Sequence, residues 1–205
     1  MCGRFFVDKA ESPEDLERII DALNRKGQIV KTGEVFPSDT VAVIANTKAL
    51  TPAAFAMPWG YQMPDGKLII NARSETAAEK PMFRDGMMQR RCLLPATNYF
   101  EWEKRGSEKI KYAIKPSNLD MFYMAGLYRI EGNQARCTIL TRSPADSIAF
   151  IHDRMPVLLH KDALKDWLNP RYDALDVLKA AMTDVSFVPV EGVQQMQLGE
   201  QSWQR

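Results

Sequence analysis

Short apolar and alternating runs, rather than long amphipathic periods, dominate this chain. Phe5-Phe6-Val7 is the first of them. Strand-like segments follow at Thr40 to Ile44, Ala53 to Trp59, Lys67 to Ile70, Cys92 to Leu94, Tyr99 to Glu103 and Lys109 to Ile114. Their β-branched and aromatic residues suit a pleated, half-buried surface. Asp65-Gly66 marks a turn, and Met121 to Ile130 with Ala135 to Thr141 predicts a hairpin around Glu131-Gly132-Asn133. Met155-Pro156-Val157-Leu158-Leu159 reads as a strand with Pro156 near its start, where a missing N–H does least harm, and Val185 to Val190 reads as another.

Helical signals are fewer. Ser12-Pro13-Glu14-Asp15 supplies an N-cap, a Pro at the first helical position and acidic residues in the first turn. Leu16, Ile19, Ile20 and Leu23 then form one apolar stripe, with Gly27 as the stop. Ser74 or Thr76, with Glu79 three residues after Thr76, caps a short helix through Lys80. Ser143-Pro144-Ala145-Asp146 opens another short helix, and two more are predicted at Lys161 to Leu168 and Asp173 to Met182. The fold class is therefore α+β: a predominantly β single domain over residues 1–205, with mixed, mainly antiparallel sheets, peripheral helices and a Gln-rich tail from about 194 that frays. The pattern leaves the strand order open.

Composition narrows the function classes. The 205 residues contain no Gly/Ser/Pro-rich linker or charge run that would divide them. Cysteines at 2, 92 and 137 offer neither a disulfide framework nor paired zinc spacing, so no metal or cofactor is expected and the compartment is expected to be reducing. No apolar stretch approaches the roughly 20 residues of a membrane span, and a cytoplasmic protein is expected. A net charge of +1 argues against a uniformly basic nucleic-acid binder but leaves room for a local patch.

The chemistry begins at Met1-Cys2-Gly3-Arg4-Phe5. Removal of the initiator Met would leave the Cys2 thiol and a free α-amine on neighbouring atoms. Such an aminothiol condenses with an aldehyde through its amine and closes a five-membered thiazolidine ring through its sulfur. Ordinary pKa values, about 8 for the amine and about 8.5 for the thiol, keep both nucleophilic forms within reach near neutral pH. On the pentapeptide alone, a Cys2 that merely starts a buried strand is the other reading.

Four separated segments decide between them: Met1 to Phe5; Ile70-Asn71-Ala72-Arg73-Ser74-Glu75-Thr76; Arg91-Cys92-Leu93-Leu94-Pro95 running into Phe100-Glu101-Trp102; and Ile151-His152-Asp153-Arg154-Met155-Pro156-Val157. Together, and in this order, they resemble the SOS response-associated peptidase family, also called abasic-site processing proteins. Pro58-Trp59-Gly60 and Met124-Ala125-Gly126-Leu127-Tyr128 are weaker echoes. Two departures concern the wall of the DNA groove. Glu34-Val35-Phe36-Pro37 stands where many members have Asn-x-Ala-Pro, and the Trp often found shortly after Trp59-Gly60 is missing.

The resemblance implies recognition of abasic sites in single-stranded DNA and a covalent crosslink through Cys2 that shields the lesion. It gives Cys2 the role of nucleophile, Asn71 that of holding the N-terminal amine or the sugar, Glu101 that of general acid/base, and His152 that of opening the sugar ring and reversing the link. Without it, Asn71 would read as a turn residue, Glu101 as a solvated surface carboxylate and His152 as a structural histidine. Asp153 is a candidate to orient His152, although neighbours on a strand point apart. Arg4, Arg73 and Arg154 carry over as phosphate contacts, with Arg84, Arg90 and Arg91 as a possible basic track, against solvated arginines as the other reading. Trp102 and Trp59 offer faces for unstacked bases, with core packing as the alternative for Trp59. Cys92 and Cys137 read as buried and inert.

The partner expected on this basis is abasic single-stranded DNA, bound by a monomer that is nucleoid-associated when acting. Two further classes stand beside it. One is an N-terminal-nucleophile cysteine peptidase or amidohydrolase, in which the same groups serve self-processing or crosslink reversal. The other is a non-enzymatic single-strand binder indifferent to Cys2.

Overall fold

The computed structural model describes residues 2–8 and 14–190. Its spine is the hairpin Phe122–Glu131 and Gln134–Arg142, which the alternation anticipated. Glu131 pairs with Gln134, and Gly132 turns the chain at φ 59°, a left-handed conformation that glycine adopts without a Cβ clash. Arg91–Ala96 pairs antiparallel with Phe122–Glu131 and is buried at every position, as suits a central strand covered on both faces.

Around that spine lies an eight-stranded sheet. Its main path runs Met155–Pro156, Gln134–Arg142, Phe122–Glu131, Arg91–Ala96, Thr40–Asn46, Pro52–Pro58. Leu158–Leu159 adds antiparallel to Phe122–Glu131, while Asn71–Arg73 adds parallel to Gln134–Arg142. A five-stranded antiparallel sheet runs Val185–Pro189, Glu108–Pro116, Asn98–Arg105, Phe5–Val7, Gly33–Val35. Tyr61–Gln62 and Leu68–Ile69 form a separate ribbon through the Asp65-Gly66 turn.

Alternation divides the core into two. Phe5, Val35, Tyr99 and Ile114 of the smaller sheet share one apolar cluster with Val41, Val43, Leu94, Met124 and Ile139 of the larger. Leu93, Ala125, Leu127 and Leu140 point to the other face of the larger sheet. There they meet Phe83 and Met87 of the helix Pro81–Gln89, Trp167 and Leu168 of Leu164–Leu168, and Leu178 of Ala174–Leu178. Helix Glu14–Asn24 closes the first cluster with Leu16 and Ile20. The architecture is thus two packed sheets with helices at the periphery.

Several expected elements change in detail. The segment opened by Ser143-Pro144 is a single 3-10 turn, Asp146–Ile148, and the helix at Ser74 is one turn long. The 155–159 strand divides in two at Val157, whose N–H donates to Leu140 and whose carbonyl accepts from Ala125. Helix Pro81–Gln89 and strand Gly33–Val35 have no counterpart in the pattern reading. Ser12 and Pro13 of the predicted cap, and the tail from 194, lie outside the described residues. Among the described residues no helix is long and apolar enough to cross a membrane.

Candidate active site and DNA-facing residues

Cys2 lies immediately ahead of strand Phe5–Val7 and has no exposed surface. Its thiol donates to the Arg4 carbonyl at 3.8 Å. Asn71, first residue of the strand Asn71–Arg73, donates from Nδ2 to the Cys2 carbonyl at 2.8 Å. That bond joins positions 69 apart in sequence. The parallel pairing of Asn71 with Ile139 fixes where the amide projects, and Trp59 reinforces it by donating from Nε1 to the Ile70 carbonyl at 2.9 Å. Asn71 Oδ1 is buried and meets no donor among the described residues, which leaves an acceptor for a ligand.

Glu101 faces inward from Asn98–Arg105 and is 3 % exposed. It stands on the same face as Tyr99, since the two are separated by one residue of a strand. Burial pushes the Glu101 carboxyl up to about 7, and its negative charge in turn adds to the burial that pushes the Cys2 thiol far above its ordinary range. The thiol is therefore protonated at neutral pH, while the carboxyl beside it is poised to exchange a proton. Tyr99, fully buried, feels both groups, and burial raises its hydroxyl well above the phenol range.

His152 stands in the bend between Asp146–Ile148 and Met155–Pro156, with its side chain 31 % exposed. Asp153 Oδ1 lies 2.7 Å from its Nδ1, which strand geometry would have forbidden and the bend permits. The Arg154 amide also donates to Nδ1, at 3.1 Å. A neutral ring accepts from that amide, and a protonated ring donates to Asp153 instead, so the two neighbours serve the two charge states. Burial lowers the His152 pKa below its ordinary value, with the Asp153 charge opposing. Asp153 also acts on Glu101, which ties the His152 bend to the Cys2 end.

The expected DNA contacts divide. Arg73 is exposed at the head of helix Ser74–Ala77 and has no ion pair among the described residues. Arg4 and Trp102 lie together on the outer face of the five-stranded sheet, the guanidinium 5.3 Å from the ring. Trp59 is not a stacking platform: it has no exposed surface, packs against Phe5 at 5.2 Å and positions the Asn71 segment. Arg154 is likewise committed within the fold, through a bidentate pair with Glu75 at 2.8 and 2.7 Å and a bond to the Thr141 carbonyl at 2.7 Å. Its guanidinium anchors the His152 bend rather than presenting a free fork.

In the proposed basic track, Arg91 is buried, and Arg90 is paired with Asp85. Arg84 is exposed and reaches the Glu79 carbonyl at 3.4 Å. Cys92 and Cys137 have no exposed surface, and burial pushes the Cys137 thiol up to about 12. Reading the sequence missed Tyr99 and Lys111 as members of this region, while Glu34 entered it only within the segment that departs from the family pattern. Of the two missed, only the tyrosine left a signal, its two-residue spacing from Glu101.

Comparison with known proteins gives the family and the fold. The model of the SOS response associated peptidase family matches residues 1–195. The abasic site processing protein YoaM of Bacillus subtilis is 35 % identical over 193 residues, covering 89 % of this chain and 85 % of its own. The abasic site processing protein YedK of Escherichia coli is 32 % identical over 183 residues, covering 82 % and 79 %. Among solved structures, a protein from Bacteroides thetaiotaomicron shares the fold with a TM-score of 0.77 at 22 % identity, over 92 % of each chain. A phage-related protein from Bordetella bronchiseptica does so with a TM-score of 0.73 at 23 % identity, over 93 % of this chain and 95 % of its own. With the family's blocks spread along nearly its whole length, this chain belongs to the SOS response associated peptidase family.

Proposed function

We propose that this protein captures abasic sites in single-stranded DNA by forming a thiazolidine with Cys2 once Met1 has been removed. The observation that carries the reading is the convergence on Cys2 of a positioning amide, Asn71, and a buried carboxyl, Glu101, whose pKa of about 7 suits proton transfer at neutral pH. Its kinship with the abasic site processing proteins YoaM and YedK supports abasic DNA as the substrate class.

The steps follow from the groups present. An abasic deoxyribose is mostly a cyclic hemiacetal, and only its open form carries an aldehyde. Neutral His152 takes the proton of the anomeric hydroxyl and returns it to the ring oxygen, opening the ring. The Cys2 amine adds to the aldehyde carbon and passes one proton to its oxygen, and protonated Glu101 gives its proton to the departing hydroxyl, so water leaves and a protonated imine forms. Glu101, now a carboxylate, takes the thiol proton that burial otherwise holds in place. The sulfur then attacks the carbon of the protonated imine, the nitrogen keeps its one hydrogen as the five-membered ring closes, and Glu101 ends protonated as it began. Asn71 holds the Cys2 carbonyl throughout and offers Oδ1 to the amine or a sugar hydroxyl. Placing amine and aldehyde in one site makes the reaction effectively unimolecular.

The Met-free protein, incubated with an oligonucleotide carrying one abasic site, is expected to give a denaturation-resistant adduct, absent with intact DNA and absent in Cys2→Ala. Intact-mass measurement locates it. An adduct on an interior side chain, or none at all, removes the proposal, and turnover of peptides without DNA would point to the hydrolase class instead.

A further inference from the structure

The outer face of the five-stranded sheet carries a charge cluster that the capture chemistry does not use. Register places it there: Glu34 stands opposite Phe6, and Lys111 opposite Trp102. Alternation turns these side chains away from the face that holds Phe5, Tyr99 and Glu101. Glu34 Oε1 holds two cations at once, 3.3 Å from Arg4 Nη1 and 2.6 Å from Lys111 Nζ. The Trp102 ring lies near both, 5.3 Å from the Arg4 guanidinium and 5.7 Å from Lys111 Nζ. Phe36, 42 % exposed, lies 4.0 Å from the same guanidinium. One carboxylate against two cations leaves the cluster positive, and Arg4 Nε is buried with no acceptor among the described residues. Cations set between aromatic faces are the layout by which proteins track a single strand.

We propose that Arg4 and Lys111 form one seat for a backbone phosphate of single-stranded DNA, and that Glu34 fills this seat in the free protein until the phosphate displaces it. The inference rests on the DNA-capture reading and adds to it a phosphate ligand, Lys111, and an internal competitor, Glu34. Carboxylate and phosphodiester each carry one negative charge, so the exchange leaves the net charge of the seat unchanged. Glu34 and Arg4 side chains are each 31 % exposed, which keeps their 3.3 Å pair weak, while the shorter pair with Lys111, 13 % exposed, is one that the phosphate replaces with an equivalent contact. Glu34 also sits on the outermost strand of its sheet, where its side chain can rotate into water. A phosphate brings more acceptor oxygens than Glu34 Oε1 now offers, enough to meet the unpaired Nε as well as Nη1. The swap handicaps any strand that does not also fill the Cys2 site, which favours the lesion over undamaged DNA.

The test measures binding of a fluorescent, intact single-stranded oligonucleotide across a salt series, so that affinity is read apart from capture. Glu34→Gln is expected to tighten binding several-fold and to steepen the dependence of log K on log salt by about 0.7, the increment for one more uncompensated phosphate contact on a single strand. Lys111→Met is expected to weaken binding, and the double variant to lose the gain of Glu34→Gln. Thermal melting checks that both variants are folded. Affinity and slope unchanged in Glu34→Gln, or Lys111→Met binding as tightly as the parent, overturns the seat. Adduct formation by the parent on abasic DNA is scored separately: an adduct together with an unmoved Glu34→Gln rejects the seat alone, and a missing adduct rejects the capture reading.

Discussion

At the scale of single residues, Glu101 shows how burial brings an ordinary carboxyl into the range of neutral pH. Its carboxyl rises from 4.5 to about 7 on folding, with burial as the first cause. Because the folded pKa is the higher one, ionisation is disfavoured in the native state, and stability falls as pH rises from the unfolded value to the folded one. Glu101→Gln is therefore expected to match the parent protein at low pH and to gain on it progressively from pH 4.5, with the full difference present above about pH 7. Urea unfolding at a series of pH values reads this. Crosslinking should slow in the same variant while Cys2 remains the attachment point, since a neutral amide carries no proton to the departing hydroxyl. A more stable but slower variant is the signature expected where stability is given up for function. His152, by contrast, keeps partial contact with solvent, and its task is divided between Asp153 and the Arg154 amide.

At the scale of elements, the sheets owe their fit to a few close approaches. Gly126 lies within Phe122–Glu131, between the strands that carry Cys92 and Ile139. A Cβ there would stand 2.5 Å from Leu94 Cδ1, 2.8 Å from the Thr138 carbonyl oxygen and 3.1 Å from Cys92 Sγ. The carbonyl belongs to a paired strand and cannot yield. Gly126→Ala is expected to cost about 1–3 kcal/mol of stability, measured by chemical unfolding, because overpacking forces backbone shifts. Gly86 does similar work in Pro81–Gln89, where a Cβ would meet Leu127 Cβ at 3.0 Å. That glycine is also why the helix was hard to read, for an internal Gly weakens the helical signal while serving the contact. Strand Gly33–Val35 escaped notice for a different reason. Only Val35 faces the core, and its pairing with Phe5–Val7 comes from tertiary context.

At the scale of the whole molecule, Arg91 joins layers that are distant in sequence. From the central strand Arg91–Ala96 it donates to the carbonyls of Met87, Trp167, Asn169 and Tyr172, and so closes the ends of two helices and the loop after the second. Arg91→Met would keep the length of the side chain and leave these acceptors without their donor. A loss of about 3 kcal/mol or more is expected in urea unfolding, since bonds to a charged donor are each worth roughly 1.5–3 kcal/mol. The candidate site residues are brought together by the same long-range order. Glu101 belongs to one sheet, into which Cys2 leads, Asn71 belongs to the other, into which the His152 bend leads, and the shared apolar cluster packs the two together.

The sequence by itself determined the hairpin, the main strands and the first helix, because apolar runs, alternation and turn chemistry are local properties. It also carried the family's blocks, and with them Cys2, Asn71, Glu101 and His152 as candidate site residues. Only the tertiary structure decided the strand order, the burial that raises the Glu101 pKa and the bend that lets Asp153 reach His152. It also withdrew Trp59 and Arg154 from the DNA surface, one into the core and the other onto Glu75, and set Glu34 between Arg4 and Lys111. A tryptophan or an arginine has the same local signature whether it faces solvent or not. Which neighbours enclose it depends on segments far along the chain, and those meet only when the sheets pack.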